Sequence, residues 1–240
     1  MIKQHGILVW AALCIATGIG WSGNQLELSA PGGGEMDMGK NLMKYYASAS
    51  KPVVVTWDNY ILESDYLEYY RSQSVLNGKK RVKLVQSKPV LRTLKSGAIH
   101  LELDREFYTA TEDVSMLYDN QTTITGGKLE WDQARGTMKL SEKPLIIYQN
   151  WKISGNLVEG QMERGLFTVT GEVQALNGEI NIRAGKLTFN RVTEEYFLED
   201  HPVLVKGQSQ LTATEIIYNV KTQKVSAKGL VQSKMIKEKQ

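Results

Sequence analysis

Apolar and polar residues alternate along most of the chain, and the alternation recurs every 29 residues. The segments TGGKLEW, SGNLVEG, RAGKLTF and TATEIIY begin at positions 125, 154, 183 and 212. Each has an apolar residue at its fifth place, and three have an aromatic residue at the seventh. Alternation with a period of two is typical of a strand with one buried face. A repeat of this length indicates stacked supersecondary units that share one core.

Earlier segments keep this register more loosely. GAIHLEL from Gly97 and ESDYLEY from Glu63 extend the series to six units, and Gly160 makes the copy at 154 the weakest. Polar turns separate the apolar runs, which predicts an all-β body of about 12 to 16 strands. Pro144 and Pro202 each precede an apolar triplet and are expected at strand starts, where a missing N–H costs least. A glycine before each Lys-Leu suits a tight corner.

The fold expected from this pattern is a rolled sheet or β-solenoid, and a helical solenoid is excluded. Only residues 38–50, MGKNLMKYYASAS, suggest a short helix.

The N-terminus has a different composition. Residues 7–21 form a run of fifteen without a charge, shorter than the roughly 20 apolar residues of a spanning helix and within the range of a secretory core. We therefore predict a signal peptide or membrane anchor over 1–21, a flexible Gly/Ser-rich linker over 22–51, the β domain over 52–233 and a basic tail over 234–240. The body is expected outside the cytoplasm, either free or tethered to the inner membrane by an uncleaved leader.

Composition and motifs exclude several functions. Lysine and arginine exceed the acidic residues by only 29 − 26 = 3, so nucleic acid is not a favoured partner. Cys14 is the one cysteine, which leaves no disulfide framework. His100 and His201 fit surface positions on the sheet or its turns and belong to no metal motif. We expect no enzyme activity, metal or cofactor, because no convergent acid, base and nucleophile set is present.

One apolar stripe remains as a candidate site. A dry core and a lipid-holding groove need the same residues, so the stripe by itself fits both. The candidate lining residues are Leu67, Tyr69, Leu101, Leu103, Leu129, Trp131, Leu145, Ile147, Leu187, Phe189, Val203, Val205, Ile216 and Tyr218.

The repeat resembles a known family. LTATEIIYNVKTQKVSAKGLVQ (211–232) and IRAGKLTFNRVTEEYFLEDHPVLV (182–205) are similar to the OstA-like repeat of the lipopolysaccharide-transport bridge proteins, LptA, LptC and the N-terminal domain of LptD. The resemblance covers about 57–233. It implies an incomplete, rolled β-jelly roll, or β-taco, whose apolar interior shields acyl chains and whose end strands pair head to tail with neighbouring domains.

The resemblance therefore implies a periplasmic lipid-binding bridge component without catalysis. Its partners would be lipopolysaccharide or lipid A, other bridge proteins and, for an LptC-like member, the inner-membrane transporter. The alternative is an exported β-solenoid module with a filled core, serving a structural, adhesive or carbohydrate-binding role.

Overall fold

The structure is a computed structural model that describes residues 26–88 and 91–234. The predicted leader at 1–21 lies outside the described residues. No α-helix occurs in the described part of the chain, and the all-β prediction is confirmed. The strands are β1 Glu27–Ser29, β2 Gly34–Asp37, β3 Leu42–Tyr46, β4 Val53–Trp57, β5 Tyr60–Ser64, β6 Tyr66–Tyr70, β7 Val75–Gln86, β8 Arg92–Glu102, β9 Phe107–Asp119, β10 Thr122–Asp132, β11 Thr137–Ser141, β12 Leu145–Tyr148, β13 Trp151–Ser154, β14 Leu157–Gln161, β15 Leu166–Asn177, β16 Ile180–Asn190, β17 Glu195–Glu199, β18 Val203–Lys206, β19 Ser209–Thr212, β20 Glu215–Asn219, β21 Val225–Lys228 and β22 Gln232–Lys234.

These strands form two facing walls. Wall A runs, by antiparallel pairing, through β1, β4, β5, β7, β8, β9, β10, β12, β13, β15, β16, β18, β19 and β22. Wall B runs through β2, β3, β6, β7, β8, β9, β10, β11, β14, β15, β16, β17, β20 and β21. Each wall therefore has 14 rows. At the usual strand spacing this stack is about 60 Å long.

The walls meet along one corner edge. The six long strands β7, β8, β9, β10, β15 and β16 bend there and contribute one half to each wall. Elsewhere the chain turns the corner through residue pairs in the left-handed region, such as Glu142 and Lys143 (φ 62° and 61°) or Asp200 and His201 (φ 60° and 59°). Pro144 and Pro202 follow these pairs directly and precede β12 and β18. The predicted role of both prolines at strand starts is confirmed.

The 29-residue repeat now has a structural meaning. One period carries a hairpin in wall B and then a hairpin in wall A, so it contains four short strand segments and not one pair. This doubling explains why the structure has more strands than the 12 to 16 expected from the sequence.

Glycines recur where two corners touch. The Gly185 N–H donates to the Asp200 carbonyl at 2.8 Å, and a Cβ added at Gly185 would lie 2.5 Å from the Asp200 Cβ. Likewise, the Gly127 N–H donates to the Glu142 carbonyl at 2.8 Å, and a Cβ added at Gly127 would lie 2.6 Å from the Glu142 Cβ. The glycines of the Gly-Lys-Leu segments thus allow neighbouring corners to approach closely.

We expect Gly185→Ala to lower the free energy of unfolding by about 1 to 3 kcal/mol, because the added methyl overlaps the next corner. Thermal or urea unfolding of the variant would measure this. Gly178→Ala is a suitable comparison, since a Cβ there meets nothing within 4 Å, although its φ of +57° adds backbone strain. A Gly185→Ala protein as stable as the wild type would contradict the close-approach explanation.

Opposite the corner edge lies the mouth, where all the hairpin turns of both walls are found. Within each wall, backbone hydrogen bonds link successive turns. In wall A the Gln149 N–H donates to the Gln121 carbonyl at 3.1 Å. In wall B the Met162 N–H donates to Gly136 at 2.8 Å, and Arg191 to Gly165 at 2.9 Å. Backbone hydrogen bonds therefore join neighbouring turns along both rims.

Two predictions about the N-terminal part are wrong. The expected helix over 38–50 is instead the strand β3, which pairs with both β2 and β6. The expected linker over 22–51 carries β1, β2 and β3 in its described part, and these strands begin both walls. Glycine and serine there form a corner, since the Gly32 N–H donates to the Tyr46 carbonyl at 2.9 Å.

The described residues contain no helix of the length and apolar character that crossing a membrane requires.

Candidate functional site: the seam between the walls

Two inner rows of side chains run along wall B. The row nearer the corner edge includes Leu67, Leu129, Leu187 and Ile216, each at most 1% exposed. The row nearer the mouth passes in unbroken register from Met36 to Val225 and includes five of the predicted lining residues. These are Tyr69, Leu101, Trp131, Phe189 and Tyr218. The 29-residue periodicity therefore identified real columns of one interior.

Gly160 occupies the mouth row of wall B where the weakest repeat lacks an aromatic residue. A Cβ there would lie 2.8 Å from the Met138 side chain and 3.1 Å from the Phe167 ring. These two neighbours cover the gap, so the row stays closed at this position.

Aromatic side chains from the two walls interlock at the mouth. Neighbouring ring centroids are 4.8 to 6.3 Å apart, and most pairs are edge-to-face. Such pairs contribute about 0.5–1.5 kcal/mol each beyond their buried area. We call this group the seam, and its members are Trp57, Tyr60, Tyr118, Tyr148 and Trp151 from wall A with Tyr108, Trp131, Phe167, Phe189, Tyr196 and Tyr218 from wall B.

Two arginines lie within the seam. The Arg92 guanidinium lies 4.7 Å from the Tyr118 ring centroid and 5.4 Å from that of Trp131. The Arg191 guanidinium lies 5.1 Å from Tyr118 and 5.6 Å from Tyr148. The middle of the seam therefore contains two guanidinium groups that contact its aromatic rings.

Side-chain polar contacts also cross the mouth. The Tyr118 hydroxyl of wall A donates to the Met162 carbonyl of wall B at 2.7 Å. Tyr60 of wall A donates to the Gln133 amide oxygen in a wall B turn. Asp119 of wall A pairs with Arg191 of wall B. In the described residues, the polar contacts across the mouth therefore involve a side chain on at least one wall, in contrast to the backbone hydrogen bonds along each rim.

Burial raises the pKa of several seam phenols. Desolvation raises the pKa of Tyr60 to about 12, and the hydrogen bonds to Tyr108 and Gln133 only partly oppose this. Desolvation also raises the pKa of Tyr196, with further contributions from Tyr148 and Tyr218. The Tyr60 hydroxyl therefore remains a hydrogen-bond donor to Gln133 across the whole neutral range.

Five of the predicted lining residues do not lie in these inner rows. Leu103 lies in a short turn at the mouth of wall B and packs half-buried against the core. The other four point away from the interior, because the neighbouring residues Ile146, Tyr148 and Leu204 take the inner face of β12 and β18. The predicted inward orientation of Leu145, Ile147, Val203 and Val205 is wrong, and they lie on the outer face of wall A.

The interior is packed in this structure and has no open groove along the predicted lining. The inward-facing predicted residues Leu101, Leu129, Phe189 and Tyr218 are between 0% and 4% exposed. Two clefts in the described part of the chain, of about 560 and 510 Å³, are lined largely by polar and charged residues. Lipid in the interior would therefore require the walls to part.

Several seam residues were not anticipated from the sequence, although a local signal exists. Aromatic residues flank short polar turns in WDNY (57–60), YDNQ (118–121) and YQNW (148–151). Tyr108, Arg92 and Arg191 carry no comparable pattern. Their place in the seam follows from contacts across the mouth.

Metal chemistry finds no support in the described residues, which contain no group of three or more metal-ligating side chains. His100 lies on the sheet surface, where its Nδ1 is 2.7 Å from the Asn77 amide oxygen, and His201 lies exposed in a corner.

Residues 133–224 match the family model described as LptA/(LptD N-terminal domain) LPS transport protein. This segment runs from the turn before β11 to the turn before β21. A comparison with curated proteins finds no match. Among solved structures, the chain is similar to LptH, the LptA homologous periplasmic component of the lipopolysaccharide transport device from Pseudomonas aeruginosa. The two share 12% identity with a TM-score of 0.46, covering 48% of this chain and 95% of LptH.

Proposed function

We propose that this chain, which carries an OstA-like domain of the lipopolysaccharide-transport bridge type, is a periplasmic component of lipopolysaccharide transport. The match of residues 133–224 to the LptA/LptD N-terminal family carries this proposal. The unmatched strands β1 to β10 continue the same two walls, which supports one shared role for the whole stack. Catalysis has no part in this role.

In this proposal the acyl chains lie between the walls, and the mouth is where they enter. The corner edge is crossed repeatedly by covalent chain, whereas the described contacts across the mouth are side-chain packing and a few hydrogen bonds. Separating side chains costs far less than breaking backbone ladders, so the walls open at the mouth and hinge at the corner. The aromatic and aliphatic inner rows then offer an apolar surface to fatty tails.

The ends of the stack are the docking surfaces. Among the described residues, the end strands β1, β2, β21 and β22 each pair on one side only. An open sheet edge is a ready template for strand addition. Because each wall has an even number of antiparallel rows, the first row of a following domain continues the alternation correctly in both walls.

Charge supports the same head-to-tail contact. The N-terminal end strands carry Glu27, Glu35 and Asp37, and the C-terminal end strands carry Lys228 and Lys234. Opposite charges at the two ends favour a C-terminal end meeting an N-terminal end over either end meeting its own kind. Partners of this kind are other bridge domains, including a second copy of this chain. Contact with the inner-membrane transporter and a membrane tether remain predictions.

Photo-crosslinking with a leucine-sized diazirine amino acid tests the lipid site. Ile146 and Ile147 are adjacent residues of the same type, of which the first faces the interior and the second the outside. We expect a probe at 146 to capture added lipopolysaccharide about tenfold more than one at 147, because an effective contact requires an inward position. Equal capture at both positions would contradict a lipid site between the walls.

The packed interior favours one other function, an exported structural or binding module with a filled core. In that case neither probe captures lipid, and the seam stays closed in the presence of lipopolysaccharide. The same crosslinking experiment therefore separates the two functions.

A further inference from the structure

The middle of the seam is polar, unlike the aromatic stretches on either side of it. In the inner mouth row of wall A, Trp57 and Tyr60 at one end and Tyr148 and Trp151 further on are separated by Gln86, Arg92 and Thr122. Gln86 is 4% exposed and Thr122 is fully buried. An inward-facing polar stretch in an aromatic row costs free energy unless its groups find partners.

Several of these groups lack a partner. The Nε atoms of Arg92 and Arg191 and the Oγ1 of Thr122 are buried without a hydrogen bond. The Arg92 Nη1 donates to the Gln86 amide oxygen at 3.0 Å. Within the described ranges, Arg92 has no carboxylate at ion-pair distance. A half-buried guanidinium without an anionic partner is unusual, since buried charges are normally paired.

Arg191 lies close to the same tyrosine ring as Arg92. The two guanidinium groups lie 4.7 and 5.1 Å from the centroid of Tyr118. The Arg191 side chain is 20% exposed and holds Asp119, which is 19% exposed. The site therefore has two guanidinium groups, one carboxylate and an opening to solvent.

We propose that Arg92 and Arg191 form a phosphate-binding site in the middle of the seam. A phosphate monoester offers several acceptor oxygens, and planar guanidinium groups bind such oxygens through paired hydrogen bonds. A bound phosphate competes with Asp119 for Arg191 and so weakens a contact that holds the mouth closed. Its source is either the headgroup of an amphiphile, whose tails lie along the aromatic seam, or free phosphate. The headgroup source rests on the proposed function.

Three probes distinguish these sources in calorimetric titrations of the full chain: dihexanoylphosphatidic acid, dihexanoylglycerol and inorganic phosphate. We expect phosphatidic acid to bind about tenfold more tightly than the neutral lipid, through charge-assisted bonds to both arginines. Arg92→Gln and Arg191→Gln each remove this advantage, so that the two lipids bind with similar affinity. The ratio of the two affinities is the measure, because Arg191→Gln also breaks the pair with Asp119 and eases opening for both lipids. Arg105→Gln is the matched control, because Arg105 is a mouth arginine that is 71% exposed and paired with Glu102 at 2.7 Å.

Asp119→Asn is a control for unfolding, because it is expected to strengthen binding and an unfolded protein would not do so. It removes the competing carboxylate, so the preference for phosphatidic acid over the neutral lipid should be larger than in the wild type. Equal binding of the two lipids, or no response to Asp119→Asn and Arg92→Gln, would overturn the site and leave acyl binding standing. Binding of inorganic phosphate without binding of either lipid would support the phosphate site and contradict the proposed transport function. If none of the probes binds, both proposals fail.

Discussion

Linking the two rims of the mouth will block lipid loading. In an Asp119→Cys/Arg191→Cys chain with Cys14→Ser, a short bismaleimide joins wall A to wall B where the two residues now pair. Lipid reaches the interior only when the walls part, so a link that removes the open population weakens apparent lipid affinity by about tenfold or more. Titration with lipopolysaccharide before and after cross-linking measures the effect.

Two controls make this result specific. A long, flexible bismaleimide at the same positions leaves room for opening and should preserve binding. The same short linker between Thr137→Cys and Gln161→Cys joins neighbouring strands of wall B, where the two residues are in register on the exposed face. Full lipid binding with the short link across the mouth would show that lipid does not enter there.

Blocking the C-terminal edge will abolish head-to-tail association. The Lys224 and Lys228 carbonyls accept from Asn219 and Thr214, so these residues face β20. The backbone N–H and C=O groups of successive residues in a strand point to opposite edges. Val225 therefore presents its N–H and C=O to the free edge of β21. Val225→Pro removes that donor and places its ring at the docking surface, while the bonds to β20 are kept. We expect association to weaken by about tenfold or more, because the edge pairing is lost.

Sedimentation velocity over a range of concentration and salt measures this association. Val225→Thr keeps the N–H and should associate as the wild type does. Lys228→Glu should also weaken association, and Glu35→Lys in the same chain should restore part of it if the charges meet. Higher salt should weaken the wild-type contact, since it screens exposed charges. Association unaffected by Val225→Pro would exclude β21 as the docking edge.

The sequence predicted the interior of wall B better than that of wall A. In wall B, strands such as KLEWD and KLTFN alternate cleanly, and Leu129, Trp131, Leu187 and Phe189 face inward as expected. In β12 and β18 the runs LIIY and VLVK are apolar at nearly every position. Periodicity cannot assign a face to such a run, because a shift of one residue exchanges the two faces. Hence Leu145 and Val203 were placed on the wrong side.

The N-terminal strands show a different limit. Glycine-rich PGGGEMDMGK is typical of a spacer by composition, yet it supplies a corner and the strand β2. Edge strands need little apolar content, because the neighbouring row provides the backbone partners. Local composition therefore fails to predict strands that are stabilised by pairing with a neighbouring row.

By itself, the sequence determined the all-β class, the 29-residue period, the turn prolines and corner glycines, and one inner face, because these depend on local alternation and turn chemistry. The tertiary structure decided which wall each hairpin joins, that the interior is packed, and that Arg92, Arg191 and Asp119 meet at the mouth. These depend on contacts between residues far apart in the chain, such as Asp119 and Arg191, which are 72 positions apart. No local pattern encodes a contact across two walls.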